Sequence, residues 1–373
     1  MLTEGISIGK AFGIPLRLHY SWFIIFVLIV WSLTAGYFSA TYPHWSLAAS
    51  IAAGVLTSLL FFGSVLVHEL MHSLVAQAAG IPIHSINLFI FGGVSQMTEE
   101  PKQPQVELRM ALAGPLGSLV LGGIFLAIWY WLIDLPEFIK AMSFWLGWIN
   151  IFLAAFNLIP GFPLDGGRVL RSLLWWQNRD LRKSTRIASN VGRGIGYLLI
   201  LTGIALIFFG AWINGLWLAF IGWFLENAAA NSYRQLALQD ILKGHKTSEL
   251  MTHDCPIVQP ELTIQQLVNE QILTSGHRCF PMVQHSRILG IITIHNIKAV
   301  PREQWPTKTA AEAMTPFTKL KSVSPDEDLS TVLRILTEQN INQLPVVKDG
   351  NIIGMVARDN LLSFIGIRSE LGT

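Results

Sequence analysis

The sequence predicts a polytopic α-helical membrane protein of about six transmembrane helices with a small β-hairpin, joined to an α/β domain. Hydrophobic residues make up 51% of the 373 residues and charged residues only 13%, whereas soluble domains carry about 25% charged residues. The apolar residues fill long runs in residues 1–232, and residues 240–373 have the composition of a soluble domain. We therefore expect a membrane domain at 1–232, a linker at 233–246 and a soluble domain after it.

The charge and the cysteines narrow the function classes. A net charge of +2, without a Lys/Arg cluster interleaved with aromatic residues, argues against a nucleic-acid partner. Both cysteines, Cys255 and Cys279, fall in the soluble part, which fits a reducing compartment and no disulfide framework. Lys10 and Arg17 precede a spanning stretch that has no small-residue cleavage site, so we expect no cleavable signal peptide.

Six apolar stretches are long enough to cross the hydrocarbon core, which takes about 20 helical residues. They cover approximately residues 18–40, 47–79, 108–133, 141–160, 195–212 and 214–232. A tight turn around Asn214-Gly215 is expected between the last two. Lysine and arginine, which mark cytoplasmic loops, concentrate before the first stretch and after the second and fourth. Both termini and the soluble domain are therefore expected in the cytoplasm.

A pair of histidines lies inside the second apolar stretch, where the sequence reads His68-Glu69-Leu70-Met71-His72. Four residues advance a helix by about 400°, so the two imidazoles project from one face about one turn apart. Two imidazoles at this spacing can hold Zn²⁺, and the adjacent Glu69 can act as a general base. Ionisable side chains are costly at membrane depth, which makes a metal site a better explanation than a polar helix surface.

A zinc ion held by two histidines needs a third protein ligand and an open position for water. The best candidate is Asp165, at the cytoplasmic end of the fourth span, where Pro160 and Pro163 break the helix and Gly166-Gly167 allow a sharp turn. Irregular backbone at membrane depth is tolerated where it is buried or lines a cavity. The topology puts this segment at the depth of the two histidines. The alternative is a simple helix exit with an exposed aspartate.

The motif at 68–72 and the stretch 157–166, Asn-Leu-Ile-Pro-Gly-Phe-Pro-Leu-Asp-Gly, together resemble the site-2 protease family of intramembrane zinc metalloproteases. The stretch 113–117, Ala-Gly-Pro-Leu-Gly, is also similar to that family. The resemblance covers residues 1 to about 232. It implies peptide hydrolysis inside the membrane.

The resemblance also implies roles for individual residues. It assigns one Zn²⁺ per chain to His68, His72 and Asp165, with Glu69 as the base. It implies that Asn157 faces the catalytic centre, where its amide would hydrogen-bond the scissile carbonyl or the oxyanion. The alternative for Asn157 is a structural role in capping carbonyls of the broken helix.

Residues 82–97 read as two short strands kinked at Gly92-Gly93, next to the helix that carries the histidines. A peptide bond cannot be hydrolysed while it is locked in a helix. An open sheet edge here would capture the substrate in extended form. The alternative is a structural hairpin that plugs the membrane interface, and both descriptions can hold together.

The soluble part contains an internal repeat. Three stretches recur 63 or 64 residues later, 250–252 as 313–315, 280–283 as 344–347, and 289–292 as 353–356. Each unit is predicted to run strand, helix, strand, strand, helix, with the first helices at 265–275 and 329–339. Two such units pack face to face, because one alone leaves an apolar sheet face exposed. We place the units at 247–302 and 309–366.

The two units resemble a tandem pair of CBS domains, a family that often binds adenosine nucleotides between its repeats. The family's acidic ribose-binding position holds Asn296 in the first repeat, after Thr293, and Asn360 in the second, where Asp359 stands one residue early. Asparagine lacks the charge-assisted strength of a carboxylate. The resemblance therefore implies either weak adenine-nucleotide binding at these four residues or a dimerisation module with empty clefts, which would join two copies of the chain.

These inferences add up to an integral membrane zinc endopeptidase regulated by a cytoplasmic CBS pair. The expected substrate is a single-span membrane protein, cut near the cytoplasmic end of its span in regulated intramembrane proteolysis. The compact size and the lack of targeting sequences point to a prokaryotic plasma membrane. One alternative is a CBS-gated transporter, which would not require a glutamate beside paired histidines. A zinc-binding scaffold without proteolytic activity is the other, and the intact Glu69 argues against it.

Overall fold

The computed structural model describes residues 5–90, 92–97, 100–132, 134–253, 256–275, 277–284, 287–339 and 341–371. The chain divides into two compact units, Met1–Arg234 and Gln235–Thr373. Each unit is described by itself. Cys255 lies outside the described residues, and Cys279 is buried.

The first unit contains a four-stranded sheet. Its strands are β1 Gly5–Ala11, β2 Ile14–His19, β3 Ile83–Phe89 and β4 Gly92–Met97, in the order β1-β2-β3-β4. Strands β2 and β3 pair in parallel, and the other neighbours pair antiparallel. Strands β3 and β4 are the hairpin predicted at 82–97. Strand β4 forms one edge of this sheet.

The hairpin of β1 and β2 is absent from the sequence prediction, although the sequence contains a signal for it. Ile14, Leu16 and Leu18 are buried at every second position of β2, as expected for a strand with one face against a core. Phe12-Gly13 forms the two-residue turn, with both residues at positive φ. Strand β2 leads directly into the first apolar span, so its alternation is hard to distinguish in the sequence from the start of that span.

In the described residues, seven helices begin in the first unit, and α5 is the shortest of them. They are α1 Ser21–Thr41, which contains a π-helical stretch at Ser32–Phe38, α2 Leu47–Ala78, α3 Pro104–Trp131, α4 Glu137–Asn157, α5 Asp165–Asn178, α6 Leu181–Phe208 and α7 Trp212–Leu242. Helix α7 continues through most of the predicted linker at 233–246. That segment is therefore helical as far as Leu242 rather than an extended connection.

Within the described part of the chain, five helices are long and apolar enough to cross a membrane: α1, α2, α3, α4 and α6. The sixth predicted span, 214–232, lies in α7, which is not among these five. Asn214, Glu226 and Asn227 lower the hydropathy of α7. The turn between α6 and α7 is at Gly210, whose φ of +88° suits glycine, and not at Asn214-Gly215, which lie in the first turn of α7.

Helix α2 lies at the centre of the first unit and packs against α1, α3, α4, β3 and β4. An apolar cluster joins the sheet to the helices through Leu18, Trp22, Phe62, Val65 and Leu88. Val65 is one turn before His68 on α2. The sheet is therefore packed against the part of α2 that carries the histidine motif.

The second unit shows the predicted repeat. Its helices are α8 at 264–275, α9 Ile294–Lys298, α10 Ala310–Ala313, α11 Leu329–Glu338 and α12 Arg358–Leu371, with short 3₁₀ turns at Thr247–Glu249, Arg302–Gln304 and Phe317–Lys319. Its strands are β5 Cys279–Gln284, β6 Arg287–Thr293, β7 Thr315–Pro316, β8 Gln343–Lys348 and β9 Asn351–Ala357. The hairpins β5-β6 and β8-β9 have the same register irregularity at equivalent positions.

The two repeats exchange short segments. Thr252, which precedes the first repeat's strands, pairs with Met355 of β9. Thr315, its counterpart in the second repeat, pairs with Ile291 of β6. Each repeat thus completes the sheet of the other, which explains why the stretches at 250–252 and 313–315 are part of the repeat.

Candidate metal centre

Helix α2 brings the two histidines of the motif together. His68 and His72 are 4% and 6% exposed, and their Nε2 atoms are 3.1 Å apart. The one-turn separation predicted from the sequence is therefore realised on a buried helix face. Buried imidazoles that face one another require a shared partner, because two unpaired nitrogens in an apolar span would be costly.

Asp165 supplies a carboxylate to the same point. It is the first residue of α5, and its Oδ2 atom lies 3.1 Å from the Nε2 atoms of both histidines. Tetrahedral zinc with bonds of about 2.0–2.1 Å separates its ligand atoms by roughly 3.3 Å. The spacing and the N,N,O donor set therefore fit a catalytic zinc ion with three protein ligands.

The other nitrogen of each imidazole is held by α3. His72 Nδ1 lies 2.6 Å from the carbonyl oxygen of Met110, and His68 Nδ1 lies 2.9 Å from Ser118 Oγ. A carbonyl oxygen only accepts, so His72 Nδ1 carries the proton, which leaves the Nε2 lone pair free to bind a metal ion shared with Asp165. Such contacts fix the orientation of metal-binding histidines.

Met110 and Ser118 belong to the site without a signal in the sequence that marks them. The Met110 contact is through its backbone carbonyl, which leaves no mark on residue type. Ser118 directly follows the stretch 113–117, whose similarity to the site-2 protease family does not extend to a role for Ser118. The reason for Gly114 in that stretch is steric, since a Cβ there would lie 2.2 Å from His72 Nε2 and 2.7 Å from His68 Nε2. Only glycine lets α3 come this close.

The loop before Asp165 is packed more tightly than the sequence suggested. Gly166 and Gly167, expected to form a sharp turn, are helical residues of α5. A Cβ at Gly166 would lie 2.3 Å from the carbonyl oxygen of Ile159, and one at Gly167 would lie 2.3 Å from Phe162 N. The two glycines therefore allow α5 to start directly against the loop, which fixes the position of Asp165.

Arg171 links α5 to α3 through an ion pair. Its guanidinium pairs with Glu107, which is fully buried, through Nε at 2.7 Å and a second, shorter contact. The same guanidinium stacks over the ring of Phe162, 5.1 Å from the centroid. Arg171 thus holds both the loop before Asp165 and the N-terminal part of α3.

Glu69 lies against the edge strand β4. Ser95 Oγ donates to Glu69 Oε2 at 3.1 Å, and Gly93 leaves room for the Glu69 side chain, because a Cβ there would lie 2.3 Å from Glu69 Cγ. Glu69 is adjacent to His68 in the chain but contributes no atom to the cluster of His68, His72 and Asp165. This arrangement suits a base beside the metal better than a ligand.

Asn157 is the last residue of α4, and its amide donates to the Leu153 carbonyl oxygen at 3.0 Å. This contact fits the structural alternative, in which Asn157 caps a helix carbonyl. Asn157 lies at the end of the helix whose following loop leads to Asp165. A catalytic role for its amide remains a prediction.

In the CBS pair, the structure brings Thr293 and Asn296 together. Asn296 Oδ1 accepts hydrogen bonds from Thr293 N at 3.0 Å and Thr293 Oγ1 at 2.6 Å, and Asn296 Nδ2 donates to Thr315 Oγ1 at 3.1 Å. These contacts form a capping box at the start of α9. In the second repeat, Asp359 and Asn360 lie in the first turn of α12, with Asp359 exposed.

Apolar helices around a buried His, His, Asp cluster with a neighbouring glutamate define a membrane metalloprotease. Residues 56–137 and 133–203 match the model of peptidase family M50, and residues 248–303 and 310–367 match the CBS domain model. The zinc metalloprotease MJ0392 of Methanocaldococcus jannaschii is 31% identical over 99% of this chain and 99% of its own length. This chain therefore belongs to the M50, or site-2 protease, family of zinc metalloproteases and carries a tandem CBS pair.

This chain is also similar to two further proteins. A relative from Synechocystis sp., whose name also describes a zinc metalloprotease, is 35% identical over 97% of this chain and 95% of its own length. The solved structure of a site-2 protease from Methanocaldococcus jannaschii is 31% identical, with a TM-score of 0.43, and the match covers 62% of this chain and 96% of that one. The enzyme class and the integral membrane location follow from the family and the apolar helices.

Proposed function

We propose that this protein is an intramembrane zinc endopeptidase that holds one Zn²⁺ per chain with His68, His72 and Asp165. The convergence of two imidazole nitrogens and one carboxylate oxygen, 3.1 Å apart, is the observation that supports the proposal best. The helix that carries the histidines is apolar and long enough to span a membrane. Hydrolysis would therefore take place within the membrane domain.

The residues around the site would divide the chemistry of peptide hydrolysis. A zinc ion held by His68, His72 and Asp165 would lower the pKa of a bound water and would polarise the scissile carbonyl. Glu69 accepts the proton of the attacking water and delivers it to the leaving amine. Asn157 turns its amide from the Leu153 carbonyl towards the oxyanion and donates a hydrogen bond to it.

The substrate we propose is a single-span membrane protein that adds to the free edge of β4 in extended form. Strand β4 is at the sheet edge and contacts Glu69 through Ser95, so a peptide on that edge would run beside the base. Main-chain hydrogen bonds to a sheet edge would also keep the scissile segment out of a helix. Cleavage of this kind would release a fragment in regulated intramembrane proteolysis.

The orientation we propose places both termini and the CBS pair in the cytoplasm of a prokaryote, which requires α7 to cross the membrane in addition to the five helices above. The supporting observation is that lysine and arginine concentrate at 1–17, 98–109 and 168–193, whereas the segments at 41–46, 134–140 and 213–215 carry only Lys140. Single cysteines near residues 180 and 300 should react with an impermeant reagent only from the cytoplasm, and one near residue 43 only from outside. Labelling of residues 43 and 180 from the same side would contradict the orientation.

Metal analysis with cleavage of a model membrane peptide tests the proposed site. His68→Ala, His72→Ala and Asp165→Ala should each lower zinc content. Glu69→Ala should keep zinc and lose cleavage, because a base is not a ligand. A Glu69→Ala protein with near-full activity would remove Glu69 from the mechanism. A zinc-loaded wild-type protein that leaves all membrane substrates uncut would favour the alternative of a zinc-binding scaffold.

A further inference from the structure

The carboxylate of Glu69 is held by a strand and not by its own helix alone. Gly93 and Ser95 are two residues apart on β4, so they face the same side of the sheet, and both touch Glu69. Gly93 lies beside the Glu69 methylene, and Ser95 Oγ lies 3.1 Å from Glu69 Oε2. The strand therefore contacts both the stem and the head of the side chain.

A second serine fixes the direction of this contact. Ser73, 1% exposed on α2, lies 2.9 Å from Ser95 Oγ and 2.9 Å from the Glu69 carbonyl oxygen. Each hydroxyl has one proton to donate, and a carboxylate is a stronger acceptor than a neutral oxygen. The Ser95 proton therefore goes to Glu69 Oε2. Ser73 donates either to Ser95 Oγ or to the Glu69 carbonyl, and both choices leave Ser95 bonded to the carboxylate.

We propose that Ser95 is a positioning residue for the catalytic base. Its hydroxyl holds the Glu69 carboxylate in one rotamer beside β4, so that the base meets the substrate backbone at a fixed place. This inference rests on the proposed role of Glu69 as the general base. It adds that the strand expected to receive the substrate also positions the base, through a single hydroxyl group.

The packing of the sheet separates this role from a purely structural one. The apolar contacts of the sheet with the helices come from Leu18 and Leu88, which join the cluster of Trp22, Phe62 and Val65, while every residue of β4 is only partly buried. Removal of one hydroxyl from β4 should therefore leave the sheet and the metal site intact. The substitution should disturb only the orientation of the Glu69 carboxylate.

The test compares full-length Ser95→Ala, Ser95→Thr and Ser85→Ala, with Glu69→Ala as reference, in cleavage of a model membrane peptide. Ser85 is a matched control, since it is a fully buried serine of the same sheet whose hydroxyl bonds to Asn87 and Gln96. Ser95→Ala should lower kcat by about 10- to 100-fold, the scale expected for a misplaced catalytic group, with KM, zinc content and Tm unchanged. Ser95→Thr keeps the hydroxyl on a strand-compatible residue and should recover most of kcat. Ser85→Ala should match the wild type in kcat, although its Tm should fall because Asn87 and Gln96 lose this donor.

The outcomes separate this inference from the proposed function. If Glu69→Ala remained active, the proposed base would be wrong, and Ser95 would lose its role with it. If Glu69→Ala were inactive while Ser95→Ala had wild-type kcat, only the positioning role would be refuted. Loss of zinc or early melting in Ser95→Ala would make Ser95 a structural residue, and so would a failure of Ser95→Thr to recover kcat.

Discussion

The donor atoms of the candidate site follow from residue spacing, but the groups that orient them do not. The helical period places His68 and His72 on one face, and helix-breaking residues mark the segment of Asp165. Ser118 and the Met110 carbonyl reach the imidazoles only because α3 packs against α2. Contacts that form where two helices approach one another cannot be predicted from the local sequence of either helix.

Ser118 offers a direct test of imidazole orientation. Ser118→Ala removes the partner of His68 Nδ1, so the ring loses one of its constraints, and zinc affinity should fall by about 10- to 100-fold. Competition with a chelator of known affinity measures the effect. Ser58→Ala is a suitable control, because Ser58 is a buried serine whose hydroxyl bonds to the Gly54 carbonyl on its own helix. Equal zinc affinity in the two variants would show that Ser118 does not orient His68.

Asn157 separates catalytic support from helix capping. If its amide stabilises the oxyanion, Asn157→Ala should retain zinc and fold but lose turnover by about 10²- to 10³-fold. If it only donates to the Leu153 carbonyl, turnover should stay close to the wild type, with a small loss of thermal stability. Turnover and Tm measured on the same preparation decide between the two roles.

At the scale of elements, spans were easier to predict than the parts between them. Long apolar runs locate α1 to α4 within about four residues, whereas α6 begins at Leu181, well before the predicted span at 195–212. Helix α5 has no clear signal in the sequence, because Pro160, Pro163 and the two glycines at 166–167 favour a turn where the helix begins. In the structure these glycines are helical residues that pack closely against the preceding loop. Their positions therefore require a small residue and not backbone freedom.

The approach of α3 to α2 makes a sharp prediction at Gly114. Gly114→Ala would place a methyl group 2.2 Å from His72 Nε2, so the imidazoles must move and zinc should be lost. Gly123→Ala, on the same helix, meets open space and should keep zinc and activity. Zinc content of the two purified variants is the measurement. A zinc-loaded, active Gly114→Ala protein would mean that α3 is not packed this closely.

At the scale of the whole molecule, the repeat of the CBS pair was visible in the sequence, but its exchange of short segments was not. The pairing of Thr252 with Met355, and of Thr315 with Ile291, joins residues that are far apart in the chain. Nothing in residue type distinguishes this pairing from one within a repeat. Asn296, at the position where the CBS family binds ribose, likewise hydrogen-bonds to Thr293 and Thr315, which residue type alone does not predict.

The membrane domain should hold its metal without the CBS pair. The proposed ligands His68, His72 and Asp165 all belong to the first unit, so removal of residues 241–373 should leave a folded, zinc-loaded protein with altered activity or substrate choice. AMP and ATP should bind the full chain weakly at most, because Asn296 and Asn360 replace acidic residues and Asn296 is already hydrogen-bonded. Calorimetry and cleavage assays measure these effects. Unchanged cleavage after truncation would make the CBS pair an assembly module.

The central claim is that this site hydrolyses a peptide bond inside a membrane span. The most direct measurement is mass-spectrometric mapping of the products when wild-type protein and Glu69→Ala act on a single-span substrate in the same bilayer. The account predicts one cut within the span by the wild type, none by Glu69→Ala, and one zinc per chain in both. Cleavage only outside the span, or the same cut by Glu69→Ala, would contradict it.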